Sequence, residues 1–350
     1  MCLTPVTVTR PYAGRWYMNT VPCGHCLECT KDKQNEYIIR SVEEFRKRPQ
    51  MTFFTLTYSP AALPMNEELD IDADTGEILP IGEVQTLRRA DVSQWLKMFK
   101  QRWKRKGVEL NFAYLVKGEY GPRTQRPHFH GLIFGLDKDQ VADLMSYWQT
   151  QFGYVCYKRI PSLMADVEKV TRYCAKYMVK NDDWNYVPAG AERPRVMSSQ
   201  FFGMPDEKRW QSMVAYYQAQ DVFSYDPSHP EFPDKKTFYK VCNEIIKRRK
   251  YNLGNGKQFK LPNYYKRKIF YNKVEGSERA SQIQRMVTYN VQLNFNKDYK
   301  EQLHNLATLY DIGEYSQVVD KYNAIHEDDL RFRAQRYAKS DEKYMVRSIC

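Results

Sequence analysis

Phe112-Ala113-Tyr114-Leu115-Val116-Lys117-Gly118-Glu119 and His128-Phe129-His130-Gly131-Leu132-Ile133-Phe134-Gly135 stand on either side of a Gly121-Pro122 turn. Both runs are rich in β-branched, aromatic and other apolar residues, so the stretch reads as two antiparallel strands. Upstream, Asp91 is placed as an N-cap before Val92, Trp95, Leu96, Phe99 and Trp103, a helical stripe that ends at Gly107 after a basic last turn. Downstream, Asp137 precedes Val141, Leu144, Met145 and Trp148, a second such helix. Further out, Thr52 to Tyr58 and Val155 to Ile160 read as strands, and Leu163 to Lys180 as a last helix. The order β-α-β-β-α-β plus a helix predicts an α+β fold, a ferredoxin-like antiparallel sheet with helices on one face. Such a fold hosts many functions and decides none of them.

Outside this core the signals differ. Residues 1–50 form a Cys-rich segment, irregular at first, with Pro5, Pro11, Gly14, Pro22 and Gly24, followed by a charged helix from Lys31 to Arg48. The core spans 51–181, with a turn-rich insertion at 59–87. Residues 182–274 form an accessory basic and aromatic region. Its first part, through 236, lacks sustained periodicity, and two basic clusters follow, Lys247-Arg248-Arg249-Lys250 and Lys266-Arg267-Lys268. Each cluster taken singly reads as a solvated charged face, although either suits a phosphate backbone. Residues 275–350 are a polar, helical C-terminal extension.

With 54 Lys plus Arg against 42 Asp plus Glu, the net charge is +12, which favours a polyanionic partner. The 27 tyrosines offer stacking faces for unpaired bases, although Tyr is also an ordinary strand residue. No apolar run is long enough to span a membrane, and Met1-Cys2-Leu3-Thr4-Pro5 lacks a signal-peptide layout, so a reducing cytoplasm is expected. The eight cysteines are then expected as thiols or metal ligands rather than disulfides.

In a strand, residues i and i+2 share a face, so His128 and His130 present two imidazoles side by side while Phe129 faces the packed side. Glu119, across the turn, can lie beside them. Two imidazoles and a carboxylate suit a catalytic divalent ion, Mg²⁺ or Mn²⁺, with positions left open for water and substrate. Glu119 also reads as a surface partner of Lys117 or Arg123.

Further on, Tyr173, Lys176, Tyr177 and Lys180 fall within an arc of about 100° on a helix, while Cys174, Ala175, Met178 and Val179 occupy the other side. A face displaying two phenols and two ammonium groups is unlike an ordinary core stripe. Neighbouring cations favour the phenolate and compensate charge on a phosphate in transfer. The alternative is an exposed Tyr/Lys face with no chemistry.

Cys23, Cys26 and Cys29 form Cys-X₂-Cys-X₂-Cys, to which Cys2 can add a fourth thiolate, the pattern of a structural Zn²⁺ site. An iron–sulfur cluster and uncoordinated thiols are the other readings.

Arg126-Pro127-His128-Phe129-His130-Gly131-Leu132-Ile133-Phe134-Gly135 resembles the His-hydrophobic-His signature of HUH endonucleases. Tyr173 through Lys180 resembles the two-tyrosine signature of the rolling-circle initiators of microviruses, small single-stranded DNA phages. Phe53-Phe54-Thr55-Leu56-Thr57-Tyr58 resembles that family's first motif. Cys23 to Cys29 and Leu261-Pro262-Asn263-Tyr264-Tyr265 resemble segments of the gokushovirus-like subgroup. The resemblance implies a sequence-specific nickase. One tyrosine attacks single-stranded origin DNA, leaving a 5′-phosphotyrosine and a 3′-hydroxyl that primes synthesis, and the second rejoins the displaced strand. Glu119 is the less regular third metal ligand of that pattern. No Gly-X₄-Gly-Lys-Ser/Thr loop is present, so a host helicase is expected as a partner beside the host DNA polymerase.

Two rivals remain from the residues alone. A non-catalytic nucleic-acid-binding sheet would account for charge and aromatics but needs no metal. A mononuclear iron oxygenase could use two His and a carboxylate, but leaves the Tyr/Lys helix unexplained.

Overall fold

The computed structural model describes residues 2, 5–12, 15–72, 74–121, 124–179, 187, 189–220, 249–254, 257–270, 296–326 and 332. The chain clusters into two units, Met1–Glu36 with Asp206–Lys343, and Tyr37–Pro205 with Tyr344–Cys350.

In the first unit the β-branched run Val6-Thr7-Val8-Thr9 opens a hairpin, β1 (Val6–Tyr12) against β2 (Arg15–Val21), in register from Val6↔Val21 to Tyr12↔Arg15. The irregular opening expected from the prolines is therefore wrong. Pro11 is accommodated in this two-stranded ribbon, where both strands are edges. The helix that follows, α1 (Leu27–Lys47), starts earlier than Lys31 and contributes its first ten residues to this unit and the rest to the other.

The second unit is built on a sheet of five antiparallel strands. Four come from the predicted core: β3 (Met51–Tyr58), β6 (Ala113–Tyr120), β7 (Pro127–Phe134) and β8 (Gly153–Ile160). They lie in the order β8-β3-β7-β6, the ferredoxin-like arrangement in which the first and third strands are central. The expected α+β fold is the one observed. Helices α2 (Arg89–Arg105) and α3 (Lys138–Gln151) cover one face, burying Trp95, Phe99, Leu144 and Trp148 on Phe54, Leu56, Val116 and Phe129. The other face carries α4 (Met164–Val179) and Phe45 of α1, packed on Phe53, Leu115, Leu132 and Phe134.

Asp137 caps α3 through a capping box with Gln140, as its position predicts. Asp91 does not cap α2. That helix starts at Arg89, and the Asp91 carboxylate instead accepts the hydroxyl of fully buried Tyr58 at 2.9 Å. A buried phenol needs an acceptor, and this one meets the need.

The insertion after β3 is not merely turn-rich. It folds as a bulged hairpin, β4 (Met65–Ile71) with β5 (Ile78–Gln85), whose mostly exposed residues leave no apolar alternation to read. Likewise, the region past 181 supplies β9 (Val196–Ser198), a fifth strand added beside β6. Three residues are too few to show a period. The loop after β9 docks on α1. Phe202 is buried against Phe134, the Gly203 N–H donates to Glu44 Oε2 at 2.7 Å, and Arg40 donates to the Phe202 carbonyl at 3.0 Å.

Helix α5 (Glu207–Gln220), the short pair β10 (Lys250–Asn252) and β11 (Gln258–Lys260), and helix α6 (Asn263–Phe270) belong to the first unit. Of the basic clusters, Lys247 and Arg248 lie outside the described residues. Arg249 is buried and burial holds the Lys266 ammonium below its ordinary range, so these two are not part of a solvated face. Residues 296–310 and 315–326 are helical and bury Tyr299, Leu303, Val318 and Tyr322 together.

Gly131, inside β7, has a packing reason. A Cβ there would stand 2.3 Å from the Phe54 ring and 2.8 Å from the Leu115 carbonyl oxygen. Gly131→Ala is therefore expected to destabilise the second unit by about 1–3 kcal/mol, as overpacking does, read as a lower melting temperature. An unchanged melting temperature would contradict the close approach of these strands.

Candidate active site

The α4-side face of the sheet carries the chemistry-bearing side chains. The turn between β6 and β7 sets the register Glu119↔His128 and Lys117↔His130, so all four residues point to that face while Phe129 is buried on the other. The tips of both imidazoles aim at the carboxylate. His130 Nε2 lies 3.4 Å and His128 Nε2 3.8 Å from Glu119 Oε2. Glu119 and His130 are buried and His128 is partly so.

The other ring nitrogens are held. His128 Nδ1 is 3.0 Å from the Arg126 carbonyl oxygen, which can only accept, so Nδ1 carries the proton and the neutral ring's lone pair sits on Nε2. His130 Nδ1 is 3.0 Å from Thr55 Oγ1, a residue directly across β3 in register Thr55↔His130. Sequence reading overlooked Thr55. A polar side chain on the same face as Phe53 in an otherwise apolar strand was the available signal. Glu119, His128 and His130 form a group whose donor atoms lie within 4.8 Å of one another and which can hold a metal ion. The expectation of a surface ion pair for Glu119 does not fit its burial.

Helix α4 brings the tyrosines to the same place. The Tyr177 ring stacks on His130 with centroids 4.0 Å apart, and Tyr173 meets Phe53 edge-on at 5.6 Å. The two phenol oxygens are 2.7 Å apart. The helix face is thus turned differently from the sequence expectation. The phenols are half-buried against the sheet, at the margin of the core that Cys174 and Met178 fill. Burial, the hydrogen bond with Tyr173 and the nearby Glu119 carboxylate all push the Tyr177 phenol above its ordinary pKa. Lys176 is half-buried on α4, and Lys180 lies outside the described residues.

In the other unit, Cys2, Cys23, Cys26 and Cys29 form a second group able to hold a metal, with their sulfurs within 4.8 Å of one another. His25, an inferior candidate by spacing, is not in it. The expectation that no cysteine is oxidised fails at Cys156, which is disulfide-bonded, and this half-buried position on strand β8 at the sheet's edge is within a partner's reach. Cys174 is a buried free thiol, and Cys242 and Cys350 lie outside the described residues. Among the described residues, no helix is long and apolar enough to cross a membrane.

Residues 51–182 match the family model for the replication-associated protein ORF2 family. The chain is 28% identical over 39% of its length to the replication-associated protein ORF2 of Spiroplasma virus 4. It is 25% identical over 47% of its length to the replication-associated protein VP4 of Bdellovibrio phage phiMH2K, and 22% identical over 53% to the replication-associated protein ORF4 of Chlamydia phage 1. These alignments span 37%, 51% and 45% of the relatives' own lengths, about half or less. No solved structure matches the chain. The family match over the sheet and α4, taken with these relatives, makes the chain similar to replication-associated proteins of small single-stranded DNA phages and supports a phage rolling-circle initiator.

Proposed function

We propose that the chain is a metal-dependent HUH-type tyrosine endonuclease and strand transferase that nicks single-stranded origin DNA to start rolling-circle replication. The observation that carries this reading is the contact of Tyr177 with His130, which sets a pair of hydrogen-bonded phenols beside a Glu119/His128/His130 donor group. Two Nε2 lone pairs and a carboxylate oxygen converging on one point fit a divalent cation, Mg²⁺ or Mn²⁺. When bound, such an ion polarises the scissile phosphate and offsets the charge that develops on it.

The chain's residues supply the rest. Oη of one tyrosine forms a bond to phosphorus as the P–O3′ bond breaks; the phenol gives up its proton and O3′ gains one. The product is a 5′-phosphotyrosine, which keeps the phosphodiester's energy, and a free 3′-hydroxyl. The second phenol, one helical turn away, can receive or return a proton through the 2.7 Å contact and later attack the regenerated junction to rejoin the displaced strand. Lys176, with Lys180 four residues on, supplies cationic charge for the phosphate backbone. Unwinding and synthesis fall to a host helicase and DNA polymerase, which places the work in the bacterial host's cytoplasm.

Single-stranded oligonucleotides tiled across the encoding genome should include one that is cut in Mn²⁺ or Mg²⁺, with its 5′-phosphate side retained on denatured protein. EDTA should abolish both the cut and the adduct. Cutting that persists unchanged in EDTA would overturn the metal's role.

Thr55 is a positioning residue in this scheme, since an Nδ1–H donated to its hydroxyl keeps the His130 Nε2 lone pair toward the ion. Thr55→Val keeps the shape and removes the acceptor. The Mn²⁺ needed for half-maximal cutting should rise about 10–100-fold, with little change in rate at saturating metal. An unchanged metal requirement would remove Thr55 from the account.

A further inference from the structure

The proposed nicking centre leaves a second cluster unused. It sits in the other unit and is assembled from the two ends of a hairpin and the start of a helix. The β1–β2 register, which begins at Val6↔Val21, brings the chain before β1 next to the chain after β2, and so puts Cys2 beside Cys23. Cys26 precedes α1 by one residue, and Cys29 lies in its first turn. All four side chains are buried or half-buried.

The distances discriminate among the states four such sulfurs can take. Cys2 Sγ is 3.6 Å from Cys23 Sγ and 3.8 Å from Cys26 Sγ. A disulfide would need about 2.05 Å. A tetrahedral ion with metal–sulfur bonds of about 2.3 Å sets its ligands about 3.8 Å apart, and the Cys2 distances lie on that edge length. With every sulfur within 4.8 Å of the others, the group encloses one atom, with no room for the body of an iron–sulfur cluster between the thiolates. The backbone supports the charged form as well. The Cys23 N–H donates to Cys2 Sγ at 3.3 Å and the Cys26 N–H donates to Cys23 Sγ at 3.1 Å, and N–H donors stabilise sulfur that carries negative charge.

We propose that Cys2, Cys23, Cys26 and Cys29 hold a single structural Zn²⁺ in an all-thiolate tetrahedral site, separate from the divalent ion of the nicking centre. Four protein ligands leave no open position, so the ion is structural rather than catalytic. It ties the hairpin's open end to the start of α1, so this segment is braced in a unit where a two-stranded ribbon alone would be marginal. The proposal does not rest on the nicking reading, because it uses none of that centre's residues.

Element analysis of the intact chain, purified without added metal, should give about one zinc per chain. His128→Ala/His130→Ala should retain that zinc, whereas Cys23→Ser/Cys26→Ser should lose it and become more readily cleaved by protease near residues 1–30. Because the cysteine variant could fail to fold, a second measurement uses the unaltered chain. After zinc removal by chelator, Co²⁺ should titrate to one equivalent with the intense visible bands and sulfur-to-metal charge transfer of a tetrahedral thiolate site. Bound iron in place of zinc, less than about a quarter equivalent of any metal together with no thiolate charge transfer from Co²⁺, or zinc lost on changing the histidines and kept on changing the cysteines, would each overturn the assignment.

Discussion

Tyr173→Phe/Tyr177→Phe should form no covalent protein–DNA adduct on the origin oligonucleotide, at any metal concentration. The substitution removes both nucleophilic oxygens and leaves both aromatic rings in place, so the stack on His130 and the edge contact with Phe53 are both retained. Loss of the 2.7 Å contact between the phenols costs on the order of 1 kcal/mol, offset in part because a half-buried hydroxyl no longer has to be desolvated. The double variant should therefore fold and still bind DNA, which separates lost chemistry from lost structure. Each single variant keeps one nucleophile. Each should still nick, while closure of the displaced strand, which calls on the second tyrosine, falls by about 10²-fold or more. Residual adduct from the double variant, measured on denaturing gels, would move the nucleophile elsewhere.

The second large effect concerns the donor group. His128→Ala/His130→Ala leaves Glu119 without the two nitrogens that lie 3.4 and 3.8 Å from its carboxylate oxygen. A lone carboxylate holds a divalent ion weakly, and the electrostatic stabilisation of the phosphate in transfer is lost with it. Cutting should fall by about 10³-fold or more, a size in keeping with removal of such stabilisation. Since His130 also supports the Tyr177 ring, Glu119→Gln is the cleaner companion. It keeps the volume and removes the charge, and its defect should be relieved in part by raising Mn²⁺. A full rate in either variant would exclude Glu119, His128 and His130 as the metal centre.

Much of this site was readable from local pattern. Alternation along Pro127–Phe134 placed both imidazoles on one face, and the short turn from Tyr120 placed Glu119 across from them, because a tight connection fixes strand register. Helical spacing gathered Tyr173 and Tyr177 but misjudged where their face points. Spacing shows which residues share a face and not what that face meets, and here it meets Phe53 and His130, residues far away in sequence. Thr55 escaped for the same reason, since its pairing with His130 comes from contact between β3 and β7.

In the fold, the long amphipathic helices and apolar strands of the central sheet were legible. Three features were not. The β4–β5 hairpin is exposed over most of its length and so lacks an apolar face, β9 is three residues long and depends on β6, and Asp91 is claimed by the buried Tyr58 hydroxyl. The β1–β2 hairpin was hidden by its prolines and glycine, although Val6-Thr7-Val8-Thr9 carries the β-branched signal.

The central claim, that DNA is joined to a tyrosine of α4, can be read directly by mass. Trypsin cuts after Arg172, Lys176 and Lys180, so Tyr173 and Tyr177 fall in separate peptides, 173–176 and 177–180. The adduct formed with the origin oligonucleotide in Mn²⁺, digested with nuclease and trypsin and sequenced by tandem mass spectrometry, should carry a nucleotide phosphate on one of these two peptides. A nucleotide mapped to any other residue, or an origin cut in Mn²⁺ with no nucleotide left on the protein, would contradict the account.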